Sequence, residues 1–296
     1  MTLNDLKDYK LVWSDEFDGN ELDPKKWCFH NVMGRARKPD GSILYDLSED
    51  ERNVKVEDSL LKLNVYYDEE RECFVGPSSP TTLTSMSYTY GYLEMRSRVH
   101  YSHAYWASFW AIGRDAINED KSLPYFVEFD FFEIDGANHI AYPNLHKWHK
   151  RSSEFWIEGK PGNDSIGSHF WNSRANENSL LGGHIPDDPE GFNTYGVLWT
   201  PEKIEMFING EIYCRFYINE NFGRPSGMEG FHRPIFLIFN NYLMLEGVKG
   251  ITENTKTSAA TPESVASQVP YEIDYVRLYQ KDGEGELNLA EQTKEV

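Results

Sequence analysis

A chain of 296 residues, 40% hydrophobic and 26% charged, can bury a large core without help from disulfides or metals. Its formal charge of −19 excludes nucleic acid and anionic membranes as partners, because a polyanion is held by a cationic face. Cys28, Cys73 and Cys214 are too few and too scattered for a disulfide framework or a metal-ligand pattern.

Period-2 alternation dominates the chain. The first ten residues hold no apolar signal-peptide core, and no window approaches eighteen consecutive apolar residues. No membrane span is expected, and the chain is either cytoplasmic or a mature form without its leader. Residues 31–50, rich in Gly, Asp, Ser and basic residues, read as a long loop. Residues 53–57 and 61–66 read as two short strands, with Glu57-Asp-Ser59 turning between them. In 91–99, Tyr92, Glu94, Arg96 and Arg98 alternate with Leu93, Met95 and Val99. Residues 157–190 and 251–268 read as further long loops, of the kind that wall a cleft. Asn209-Gly210 inside 204–214 is a strong hairpin signal. Residues 234–239 form a continuous apolar run suited to a sandwich core, and 271–279 a final alternating strand. Residues 281–296 are expected to fray. No amphipathic helix of ten residues, internal repeat or linker appears. One all-β domain over 1–296, with its core at about 10–280, is the economical reading.

Residues 128–133 read Glu-Phe-Asp-Phe-Phe-Glu, three acids among three phenylalanines. Asp and Glu are depleted in strands and seldom buried without partners, so their presence here points to function. Glu128 and Asp130 share a strand face, whereas Glu133, five residues on, would face the other way. One bulged residue at Phe131 or Phe132 brings it back. Two glutamates flanking an aspartate on one surface are the equipment of a glycosidase; in a retaining enzyme the two carboxyls stand about 5–5.5 Å apart. The plainer alternative is a solvated acidic edge strand, against which the aromatic run argues. Eight Trp, eighteen Tyr and seventeen Phe suit sugar stacking and a large β core equally.

Further segments match a known family in order along the chain. They are Leu11-Val-Trp-Ser-Asp-Glu-Phe-Asp-Gly19 with Trp27, Asn53-Val-Lys-Val56, Tyr90-Gly-Tyr-Leu-Glu-Met-Arg96, Trp106-Ala-Ser-Phe-Trp110, Asn193-Thr-Tyr-Gly-Val-Leu-Trp-Thr-Pro201 and Ile273-Asp-Tyr-Val-Arg-Leu-Tyr279. With the acidic motif they resemble glycoside hydrolase family 16 over roughly 10–280, in its bulged branch of β-1,3-glucanases, agarases, porphyranases, carrageenases and endo-β-galactosidases. The sequence departs from the usual pattern at Val127, Trp-Ala-Ser-Phe-Trp, Asn193 and Asn209-Gly210, which weakens a laminarinase assignment.

The resemblance implies a jelly-roll β-sandwich of two antiparallel sheets with a concave substrate cleft. By family position Glu128 is the nucleophile, Glu133 the acid/base, and Asp130 the residue that orients the nucleophile. Trp106 and Trp110 are candidates for stacking on a sugar ring or for the core. Arg96 is a candidate substrate donor or a charge partner. Asn53, His146 and Trp148 resemble substrate-side residues. Glu16 and Asp274 match a carboxylate pair that holds a structural calcium in some members. No cofactor is needed for catalysis. The expected activity is retaining endo-hydrolysis of a β-1,3-glucan or β-galactan by a monomer. A non-catalytic carbohydrate-binding sandwich and a transglycosylase stay open beside it.

Overall fold

The computed structural model describes residues 6–30, 36–99, 105–116, 125–135, 140–149, 163–166, 186, 188, 190–218, 229–243, 245, 260–266 and 270–290. Two antiparallel sheets form a jelly-roll β-sandwich, the expected fold. The eight-stranded sheet runs Glu211–Tyr217, Lys203–Ile208, Asn193–Trp199, Gly91–Arg98, Tyr271–Lys281, Leu60–Leu63, Val54–Glu57, with Tyr9–Asp15 also paired to Tyr271–Lys281. The nine-stranded sheet runs Asn163–Ile166, Ile140–His149, Tyr125–Asp135, Tyr105–Gly113, Ile235–Leu243, Met86–Thr89, Glu286–Leu289, extended by Pro80–Thr81 and Cys28–Phe29.

The two predicted hairpins turn on left-handed residues. Asp58 and Ser59 have φ of 56° each, and Asn209 and Gly210 have φ of 51° and 82°. Two central residues with positive φ make the tight loop whose twist matches paired strands. Alternation then sorts the faces: Leu93 and Met95 enter the core, while Glu94 and Arg96 stay outside it. Aromatic rings join the sheets. Phe132 meets Tyr195 at 4.3 Å between centroids and Phe129 meets Trp199 at 5.0 Å. Each such ring taken from water is worth roughly 1.5–3 kcal/mol.

Four stretches differ from expectation: Asn163–Ile166 is a strand within 157–190, Pro262–Ala266 is a helical turn within 251–268, and 31–50 and 281–296 each hold a strand. Within 31–50, Ile43–Ser48 is a strand, paired in parallel with Cys73–Pro77 in a third sheet of four strands. Its apolar anchor Tyr45 is fully buried against Tyr242, near the end of Ile235–Leu243 in the nine-stranded sheet, and that contact overrides the turn-rich composition before it. Within 281–296, Glu286–Leu289 pairs with Met86–Thr89, because that edge offers unpaired backbone groups to a passing chain. Of 157–190 and 251–268, only Asn163–Ile166, 186, 188, 190 and 260–266 fall among the described residues. Their expected role as loops walling a cleft lies mostly outside them. No helix among the described residues is long and apolar enough to cross a membrane.

Candidate active site

The acidic segment lies on Tyr125–Asp135, between Tyr105–Gly113 and Ile140–His149. Ile112, Trp110 and Ser108 stand opposite Glu128, Asp130 and Glu133 on one side, and His146, Asn144 and Tyr142 on the other. Between Asp130 and Glu133 the register slips by one residue, and Phe131 has no partner on Tyr105–Gly113. Phe131 and Phe132 are both buried in the core, 2% and 0% exposed. Two consecutive inward side chains are what a bulge produces, and they return Glu133 to the face of Glu128 and Asp130. The Phe131 carbonyl accepts a 2.7 Å hydrogen bond from the Tyr213 hydroxyl of the opposite sheet.

Glu133 is held by both neighbours. Trp106 Nε1 donates to its Oε1 at 3.0 Å, and Asn144 Nδ2 donates to its Oε2 at 3.2 Å. Asp130 is 3% exposed and shares a hydrogen bond with Glu128. Burial pushes its carboxyl well above the usual range; the charge of Glu133 adds to this and the bond with Glu128 opposes it. His146 Nε2 lies 3.1 Å from Asp130 Oδ2, off the direction of a hydrogen bond. Donor atoms of Glu128, Asp130 and His146 all fall within 4.8 Å of one another, close enough to share a proton or to hold a cation.

The other candidates divide. Trp110 is 8% exposed, packs with Ile112, Phe126, Phe236 and Ile238, and donates Nε1 to Asn240 Oδ1 at 2.7 Å. It is a wall of the site's floor; Trp106 is the more open of the pair. Trp148 stands on Ile140–His149 opposite Phe126, and its side chain lies outside the described residues. Asn53 is corrected: it is fully buried, and its Nδ2 bonds the carbonyls of Asn64 and Val75 at 2.9 Å each, so it ties backbone instead of sugar. For Arg96 the structure shows the second of its two readings, a charge partner. It lies on the eight-stranded sheet, away from the acids, where it pairs with Asp274 and covers the Phe192 ring. The calcium expectation does not fit these side chains. Glu16 is bound by Arg277 Nε and Nη2 at 3.0 and 2.6 Å, which holds its carboxyl below the ordinary value, and Asp274 is engaged by Arg96. A carboxylate committed to a guanidinium is not an open oxygen ligand. Asn144, Asn240 and Tyr213 were not singled out from the sequence. Asn144 carries the one available signal, its i, i+2 spacing from His146 on a shared strand face.

A family profile for glycosyl hydrolases family 16 matches residues 43–230. The chain belongs to this family. As a family 16 glycoside hydrolase it is 26% identical over 276 residues to a β-glucanase of Rhodothermus marinus, a match covering 92% of this chain and 85% of that protein. It is 22% identical to a keratan-sulfate endo-1,4-β-galactosidase of Sphingobacterium multivorum, over 92% of this chain and 55% of that one. It spans only 34% of the endo-1,3-1,4-β-glycanase ExsH of Rhizobium meliloti and 38% of the glucan endo-1,3-β-glucosidase A1 of Niallia circulans. In fold, it superposes on the Rhodothermus marinus laminarinase with a TM-score of 0.64, 22% identity and coverage of 92% and 97% of the two chains. A structure from work on endo-acting O-glycanases of human gut microbiota gives 0.66, 21%, and 94% and 92%.

Proposed function

We propose that the chain is a retaining endo-β-glycanase that hydrolyses internal bonds of a β-1,3-glucan, acting as one catalytic unit over 1–296. The observation that carries this reading is the bulge at Phe131, which gathers Glu128, Asp130 and Glu133 on one face. Glu128 attacks the anomeric carbon while Glu133 gives its proton to the departing oxygen, forming a glycosyl-enzyme. Water then attacks that intermediate, with Glu133 now acting as base. Asp130 bonds Glu128 and so orients the nucleophile, and its burial disfavours a further full charge beside Glu128. The 26% identity to a β-glucanase and to an endo-1,3-1,4-β-glycanase, against 22% to a keratan-sulfate endo-1,4-β-galactosidase, supports glucan over galactan.

The test is reducing-end release on laminarin, mixed-linkage glucan, agarose, porphyran and mucin-type galactosides, with Glu128→Gln and Glu133→Gln alongside. Cleavage of laminarin that both substitutions nearly abolish is expected. Substantial activity in either folded variant sinks the assignment of roles, and cleavage confined to galactosides moves the substrate to the β-galactan class. Glycan binding without turnover across the panel would make the chain a binding module, and products longer than the substrate a transglycosylase.

A further inference from the structure

We infer that Asn144 is a positioning residue for the acid/base carboxylate, acting with Trp106 to stabilise the charge that Glu133 acquires when it gives up its proton. The inference rests on Glu133 as acid/base. Each oxygen of Glu133 accepts one N–H, Oε1 from Trp106 at 3.0 Å and Oε2 from Asn144 at 3.2 Å. The donors come from the two strands that flank Tyr125–Asp135, so the carboxylate is gripped from both sides. Asn144 presents its NH₂ because an ionised carboxylate only accepts hydrogen bonds.

Charge-assisted bonds are roughly twice as strong as neutral ones. Both contacts therefore strengthen as the proton moves from Glu133 to the leaving oxygen and the carboxylate becomes an anion. An interaction stronger in the transition state than in the ground state is the kind that raises rate, and it needs no reorganisation when its donors are already placed. The titratable groups that face Glu133 are Glu128 and Asp130 on its own strand and Tyr142 and His146 on Ile140–His149; Tyr105–Gly113 offers Trp106 and Ser108, neither of which titrates near neutrality. Asn144 thus supplies neutral dipole without adding a charge.

The experiment compares Asn144→Ala and the isosteric Asn144→Asp with wild type on two substrates, laminarin and 2,4-dinitrophenyl β-laminaribioside. The phenolate of the second departs without a proton. Expected for Asn144→Ala is a loss in kcat/KM on laminarin of about 10²-fold, the scale of a lost oxyanion donor. On the dinitrophenyl substrate the change stays within a few-fold, since kcat/KM there reports only the attack by Glu128. The alkaline limb of the laminarin profile moves to higher pH, because a carboxylate stripped of a donor keeps its proton longer. Asn144→Asp moves it further, and Trp106→Phe, which keeps the ring but not the N–H, moves it the same way. Equal losses on both substrates with the limb unmoved would overturn the inference and leave Asn144 as packing. Glu133→Ala separates the two readings. If it retains laminarin cleavage, the acid/base assignment fails and this inference with it; if it keeps only the dinitrophenyl activity, the Asn144 data test the inference alone.

Discussion

The hydroxyl of Tyr213 reaches across the sandwich and donates to the carbonyl of Phe131 at 2.7 Å, pinning from the opposite sheet the one bulged residue on which the acidic face depends. A bulge interrupts the ladder and leaves backbone groups to be satisfied elsewhere. Tyr213→Phe removes the donor and keeps the ring. It should cost about 1–3 kcal/mol by urea unfolding, the cost of an unsatisfied buried carbonyl. It should also lower kcat several-fold with KM unchanged, since the loosened bulge carries Glu133. Equal stability and activity in the variant would show that the bulge holds itself.

Asp130 links stability to pH. Its folded-state proton affinity is raised, chiefly by burial, so its contribution to stability is fully present below the ordinary carboxylate value of about 3.9 and is lost as pH rises through the folded value. Asp130→Asn cannot ionise and escapes that loss. The variant should melt above wild type at pH 8, with the gap closing toward pH 4. Thermal melts at the two pH values decide it. A gap that widens on acidification refutes the sign.

Trp110 is a wall, and its variants should behave as packing variants. Trp110→Phe leaves the Oδ1 of Asn240 without its donor while Asn240 Nδ2 stays bonded to Ser79 Oγ at 3.0 Å. A cost of about 1–3 kcal/mol is expected, with KM for laminarin within twofold of wild type. Isothermal titration of laminari-oligosaccharides against the inactive Glu128→Gln background, with and without Trp110→Phe, checks this. A tenfold loss of affinity would restore the stacking role.

Near the first strand, Asp15 accepts from Trp27 Nε1 at 2.7 Å, and the tryptophan is 2% exposed. Asp15→Ala strands the indole N–H in the core and should cost about 2–3 kcal/mol by denaturant unfolding. Lys10→Ala breaks only the exposed Lys10–Asp282 pair and should change stability by less than about 0.5 kcal/mol. Similar costs for the two would mean that the indole finds another acceptor.

The fold and the three acids could be read from the chain because both rest on local rules. Alternation sets the faces of Gly91–Arg98, Asn209-Gly210 sets a turn, and the five-residue step from Glu128 to Glu133 demands a bulge. What surrounds the acids could not be read, because it is set by contacts between distant segments. Whether Arg96 meets a sugar or Asp274 depends on which sheet its strand joins, and the alternation in Gly91–Arg98 is the same in either case. Asn53 resembled a ligand-binding residue until the carbonyls of Asn64 and Val75 claimed both of its amide hydrogens. Glu286–Leu289 alternates over only four residues of a charged stretch, too short a signal to read alone, and it pairs along Met86–Thr89.

The strand Tyr271–Lys281 sits at the middle of the eight-stranded sheet, flanked on one side by Gly91–Arg98 and on the other by Leu60–Leu63 and Tyr9–Asp15. In biosynthesis this means that the ribosome delivers the centre of the sheet after every other described strand of that sheet. Tyr9–Asp15 must wait some 260 residues of synthesis for its partner, and Leu60–Leu63 and Gly91–Arg98 cannot be joined through it before then. Closing loops of that length makes folding slow and leaves apolar strand faces open on the nascent chain. A chain cut before residue 271 would therefore be held by chaperones or aggregate, however complete its Glu128–Glu133 segment.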